Sequence, residues 1–175
     1  MSYKKHLILL LILSLIFVFA GCLGNLIPTA PSATPGADTT GVLYLTPAQV
    51  NTAPSKDFKA ELNIGEVAGF KGYSVTLSYN PKHLQLKEVS EGTFLSSEGE
   101  TFFYHDIDNK KGTVLIDGAL LGRRLAVSGE GTLANLSFTC LKSGATDLDF
   151  SLCKTRNAHN KEIVITKCNA VVKSK

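Results

Sequence analysis

The chain has 175 residues, with 18 Lys and Arg against 15 Asp and Glu, a formal charge of +3. The basic residues are scattered and Arg123-Arg124 is their one arginine pair, a pattern that argues against nucleic acid or an acidic polymer as partner. The length suffices for one domain with one core.

In chain order, Lys4 and Lys5 precede an uncharged run from Leu7 to Ala20, then Gly21-Cys22. A basic start, a short apolar stretch and small residues before a cut predict a secretory signal over residues 1–21. The run falls short of the roughly 20 apolar residues a spanning helix needs. Val18-Phe-Ala-Gly-Cys22 resembles a lipobox, which implies a lipid on Cys22 and an extracytoplasmic, membrane-anchored, surface-exposed protein. The alternative is an ordinary signal peptide with an incidental cysteine. Removing 1–21 takes Lys4 and Lys5 with it, leaving 16 basic and 15 acidic residues, a net charge of +1. Residues 22–41 carry Pro28, Pro31, Pro35 and Gly36 among Thr, Ser and Ala. Such a tether cannot bury enough apolar surface to fold, and in an extended form its proline-rich part reaches roughly 50 Å.

From residue 42 to 173 the pattern is almost all β. Val42–Thr46 is a short strand closed by Pro47. Phe58, Ala60, Leu62 and Ile64 alternate with Lys59, Glu61 and Asn63, the period of a half-buried strand. Gly65 to Gly72 reads as a connection. Tyr73, Val75, Leu77 and Tyr79 then alternate with Ser74, Thr76 and Ser78, so this strand has an apolar face and a small, polar one. Asn80-Pro81 ends it, since proline offers no ladder donor. Leu84–Val89, Thr101–His105 and Thr113–Asp117 follow, with Asp108–Gly112 as a hairpin connection. Leu120, Leu121 and Leu125 between Ala119 and Val127 leave room for an irregular helix. Thr132–Cys140, Leu148–Leu152 and Ile163–Val172 complete the series. About nine short strands with Gly, Pro, Asn and Asp turns predict an all-β, antiparallel sandwich.

The order of these pieces resembles a cohesin domain, the module that receives a dockerin in cellulosome-type assemblies. It is carried by Phe58–Ile64, by Gly72-Tyr-Ser-Val-Thr-Leu-Ser-Tyr-Asn-Pro-x-x-Leu84, and by Lys87–Leu95 with Phe102-Phe-Tyr104. Gly112-Thr-Val-Leu-Ile-Asp-Gly-Ala-Leu120, Ser128–Leu133 and Leu136-Ser-Phe138 continue it, so that it spans nearly all of 42–172. Asn80 stands where aspartate is usual, a conservative change at a turn. The resemblance implies a non-catalytic nine-stranded sandwich of jelly-roll type. It also implies a dockerin-containing protein as partner, with calcium on that partner only and polysaccharide reached indirectly through it.

It further implies that one sheet face receives the partner. If Val75, Leu77, Val114 and Ile116 point inward, then Ser74, Thr76, Thr113, Leu115 and Asp117 point outward. Leu120 and Leu121 either extend that patch or fill the core of a rim helix.

Catalytic patterns are missing. His83, His105 and His159 stand on separate segments without metal-ligand spacing, and no nucleophile or phosphate-loop motif occurs. Asp106-x-Asp108-Asn109 departs from an EF-hand loop, with Lys110 and Lys111 at positions needing a ligand and a glycine. A carbohydrate-binding or adhesive Ig-like module is the alternative function. As a strand, Phe102-Phe103-Tyr104 must turn at least one ring outward, to serve as a rim or dockerin contact or, for the former module, as a sugar platform. Among the remaining cysteines, Cys140 shares the parity of Leu136 and Phe138. Cys153 and Cys168 near the ends of the last strands are expected to form a disulfide, closing a loop of about 15 residues with a gain on the order of 3 kcal/mol.

Overall fold

A computed structural model describes residues 41–175. The expected signal peptide (1–21), the lipid-bearing Cys22 and the tether as far as Thr40 lie outside the described residues.

The elements are β1 (Gly41–Thr46), β2 (Gln49–Thr52), β3 (Asp57–Tyr79), β4 (Leu84–Glu91), α1 (Thr93–Ser96), β5 (Thr101–Asp108), β6 (Thr113–Leu120), β7 (Val127–Cys140), β8 (Gly144–Asn157), β9 (Ile165–Cys168) and β10 (Ala170–Ser174). The 23 residues of β3 are shared by two sheets. Its first half pairs antiparallel with β1 and β7, and β9 and β4 flank these in turn. Its second half lies between β6 and β8, extended by β5 on one side and by β10 and β2 on the other. Gly65–Gly72 is therefore strand and not connection. Register shifts between Ile64 and Val67 and between Val67 and Phe70 bend β3 from one sheet into the other. Such bulges sharpen the local twist without ending the ladder. Both residues at the bend are buried, Val67 at 2% and Phe70 at 0% exposure.

The apolar alternation packs as read. Leu62, Ile64, Leu136 and Phe138 join Val75, Leu77, Val114, Ile116, Leu148 and Phe150 in one buried cluster. The Phe138 ring stacks on Phe58 and makes a T-shaped contact with Tyr79, each at a centroid distance of 5.4 Å. Cys140 belongs to the same core.

Three expectations change. Residues 119–127 hold no helix. β6 runs through Leu120, and Gly122 (φ 104°) and Arg124 (φ 60°) turn the chain beyond it. The segment Ile163–Val172 is two short strands, one pairing with β1 and the other with β8 and β2. Cys153 and Cys168 form no disulfide: all three described cysteines are free. Cys153 sits half-buried opposite Val75 in one sheet, whereas Cys168 is exposed opposite Tyr44 in the other.

Candidate docking face

The outer surface of β5-β6-β3-β8 is laid out in cross-strand rows. One row is Asp106, Leu115, Thr76 and Leu152; the next is Tyr104, Asp117, Ser74 and Lys154. Beyond them lie Phe102, Ala119, Gly72 and Arg156, and at the other end Asp108, Thr113, Ser78 and Asp149. Ser74, Thr76, Thr113, Leu115 and Asp117 thus stand together and half-exposed, as the alternation of β3 and β6 predicts. Leu120 does not join them. It shares the inward parity of Val114 and Ile116 and is 1% exposed, so it is a core residue. Leu121, one step past the strand, is exposed.

Phe102, Tyr104 and Leu152 also stand on this face. Phe102 and Tyr104 are 51% and 48% exposed, while Phe103 between them packs against the core. Their place beside Ala119 and Asp117 follows only from the hairpin register. Leu152 is the clearest departure. Continuing from Leu148 and Phe150, it is expected to face inward. The register shift between Thr76 and Leu77 places Ser151 as an extra residue, turns Leu152 outward and leaves it 39% exposed. The Ser151 hydroxyl donates to the Thr76 carbonyl at 3.1 Å, fixing the bulge.

The β5–β6 hairpin that carries half of the face is tightly tied. Asp108 Oδ1 accepts from the amides of Lys110 (3.0 Å) and Lys111 (2.9 Å), and its other oxygen pairs with Lys111 Nζ at 3.2 Å. The Lys111 amide bond leads the effects that hold this carboxyl below its ordinary value. Asn109 turns inward instead. Its Oδ1 accepts from Tyr79 Oη (2.8 Å) and the Leu86 amide (2.9 Å), while its Nδ2 donates to the Leu86 carbonyl at 2.9 Å. The residues that faintly resemble a calcium loop are therefore employed as turn locks. Among the described residues no group of three or more His, Cys, Asp or Glu is placed to hold a metal.

Asp117 stands at the centre of the face, and its Oδ1 is shielded from solvent without a hydrogen-bond partner. A carboxylate oxygen left so is costly unless a donor reaches it.

A half-exposed apolar and small-polar sheet face on a β-sandwich is the form of an interaction surface. The cohesin domain model matches residues 44–171, and the chain belongs to that family, whose members are non-catalytic protein-binding domains. No curated protein matches the chain. Among solved structures it is similar to a non-cellulosomal cohesin from the hyperthermophilic archaeon Archaeoglobus fulgidus, at 12% identity and a TM-score of 0.66, over 78% of this chain and 92% of that one. It is also similar to the cohesin of a type I cohesin–dockerin complex from Clostridium thermocellum (12%, 0.68, 81% and 97%). A type II cohesin of the Acetivibrio cellulolyticus cellulosome matches as well (18%, 0.67, 76% and 95%). At these identities the likeness is one of fold.

Proposed function

We propose that this chain is a receptor that docks a dockerin-bearing protein on the outer face of β5-β6-β3-β8, displayed outside the cell by a lipid on Cys22. The observation that carries the reading is the pooling of exposed apolar side chains there. Phe102, Tyr104 and Leu152 stand with half-exposed Leu115 on a background of Ser74, Thr76 and Thr113. Contiguous apolar groups rimmed by polar ones mark a partner surface, where single exposed leucines do not. The leucines and aromatic rings serve as anchors for a helix, and Asp117 as a hydrogen-bond acceptor. Calcium belongs to the dockerin, and polysaccharide enters only as the partner's cargo.

The test is binding of the purified protein to a panel of dockerins with and without calcium. Tight, calcium-dependent one-to-one binding is expected, weakened at least tenfold by Leu115→Ala together with Asp117→Ala, on the scale of interface hot spots of about 2 kcal/mol. Binding to glycans in place of dockerins, lost on Phe102→Ala and Tyr104→Ala, would favour a carbohydrate module instead.

A further inference from the structure

At one end of the candidate face the two central strands carry almost no side chain. Gly72 and Ala119 are cross-strand partners there, with Arg156 beside Gly72 on β8. A groove of about 470 Å³ opens over them, bordered by Ser74, Lys154, Arg156 and the turn 157–160. The floor is held flat by close packing: a β-carbon on Gly72 would lie 3.0 Å from the Gly118 carbonyl oxygen and 3.3 Å from the Ala119 β-carbon. The end wall is preformed. Asn157 Oδ1 accepts from the amides of His159 (2.9 Å) and Lys161 (3.0 Å), and the Asn157 amide donates to the Lys161 carbonyl at 2.9 Å.

The cations of the groove form no ion pair among the described residues. Lys154 and Arg156 are exposed, and the one ion pair among the described residues, Lys111–Asp108, lies at the far end of the same strands. No acidic side chain lines the groove; Glu162, the bridge partner of Arg156, and Asp117, the cross-strand partner of Ser74, stand just outside it and neither pairs with Lys154 or Arg156. Lys71 is committed elsewhere, its Nζ donating to the carbonyls of Gly122 (2.6 Å) and Leu125 (3.1 Å). Asp106, Asp108 and Asp149 occupy the opposite end of the face. Lys154 and Arg156 thus gather at one end of the face and three aspartates at the other, with Asp117 between them.

We propose that the groove takes an Asp or Glu carboxylate from the docked partner helix and so fixes the direction in which that helix lies across the face. A small backbone floor admits a short acidic side chain, the Arg156 fork can meet it bidentately, and Lys154 and the Ser74 hydroxyl supply further donors. A helix laid the opposite way would bring its acidic end onto Asp106, Asp108 and Asp149, and like charges so placed discriminate strongly against it. The source of the carboxylate rests on the receptor reading; the anion preference of the groove does not.

The test has two arms on the full chain in detergent micelles. In the first, Lys154→Glu with Arg156→Glu is expected to weaken a dockerin that binds by on the order of 100-fold, with a flatter salt dependence. Changing the partner's acidic residue to lysine restores binding to the variant. Unchanged affinity in the double variant, alongside loss in Leu115→Ala, overturns the inference and leaves the receptor standing. In the second, N-acetylglutamate amide is titrated against N-acetylglutamine amide by NMR. Shifts at the amides of Gly72, Ala119 and Asn160 with the first compound only, abolished by the double charge reversal, are expected. Equal or no response overturns the groove. If no dockerin binds, the receptor reading falls and this titration alone decides the anion site.

Discussion

Tyr73 and Gly118 face each other across β3 and β6 so closely that a β-carbon on Gly118 would lie 2.4 Å from the tyrosine ring. The absent side chain lets the ring lie inside the sandwich, where its hydroxyl donates to the Leu133 carbonyl on β7 at 3.0 Å. Gly118→Ala is expected to overpack this site and cost about 1–3 kcal/mol, read as a lower urea midpoint with an unchanged slope.

Burial, joined by Glu91 and Asp117, pushes the Tyr73 hydroxyl well above its ordinary value of 10.0, and burial raises Tyr79 in the same direction. The native state then keeps protons that the unfolded chain releases. This contribution is fully present below pH 10 and is lost as pH rises above it toward the native values. Stability measured between pH 9 and 12 should fall, and Tyr73→Phe should flatten the decline.

Asn109 ties the β5–β6 hairpin to Tyr79 and Leu86 with three hydrogen bonds. Asn109→Ala leaves the Leu86 amide and carbonyl without these partners and should cost roughly 2–3 kcal/mol at about 1 kcal/mol per bond. Asn109→Asp keeps the acceptor but loses the amide donor, so thermal unfolding should place it between the two.

Leu115 and Leu120 lie five residues apart on β6 and on opposite sides of it. Leu120→Ala should lose about 2–5 kcal/mol of stability. Leu115→Ala should lose less than about 1 kcal/mol, its effect appearing in partner binding. Comparable denaturation midpoints for the two variants would contradict this division.

Thiol labelling of the unlipidated protein without reductant should find Cys140, Cys153 and Cys168 all reactive after unfolding. In the native state exposed Cys168 should react first. Cys153, whose thiol is pushed up by burial, should follow, because the thiolate is the reactive form. A mass lower by two hydrogens would instead restore the bridge.

The strands that were legible were those whose alternation is unbroken, such as Tyr73–Tyr79 and Thr113–Leu120. Reading failed where a residue is inserted into the period. The bulge at Ser151 reversed the side of Leu152, since a one-residue slip moves every later side chain to the other face. Gly65, Gly69 and Gly72 suggested a loop because isolated glycines punctuate strands. Burial of Val67 and Phe70 kept the ladder going through them. Leu120 was readable by parity alone, but the neighbouring Leu121 and Leu125 imitated a helical spacing. The company that Phe102, Lys154 and Arg156 keep was invisible, because pairing across β5, β6, β3 and β8 is a property of register and not of any one segment.

Because β3 is one continuous strand shared by both sheets, it is also the load path of the domain. Tension entering the chain at Gly41 reaches β1, which is hydrogen-bonded along the first half of β3. Tension on the outer face is received by its second half, between β6 and β8. A pull between the two is carried as shear over ladders on both sides of a single backbone, through the bend near Val67. Were the chain tethered before Gly41 and a partner docked on the outer face, such a pull would load the two layers together and not peel them apart.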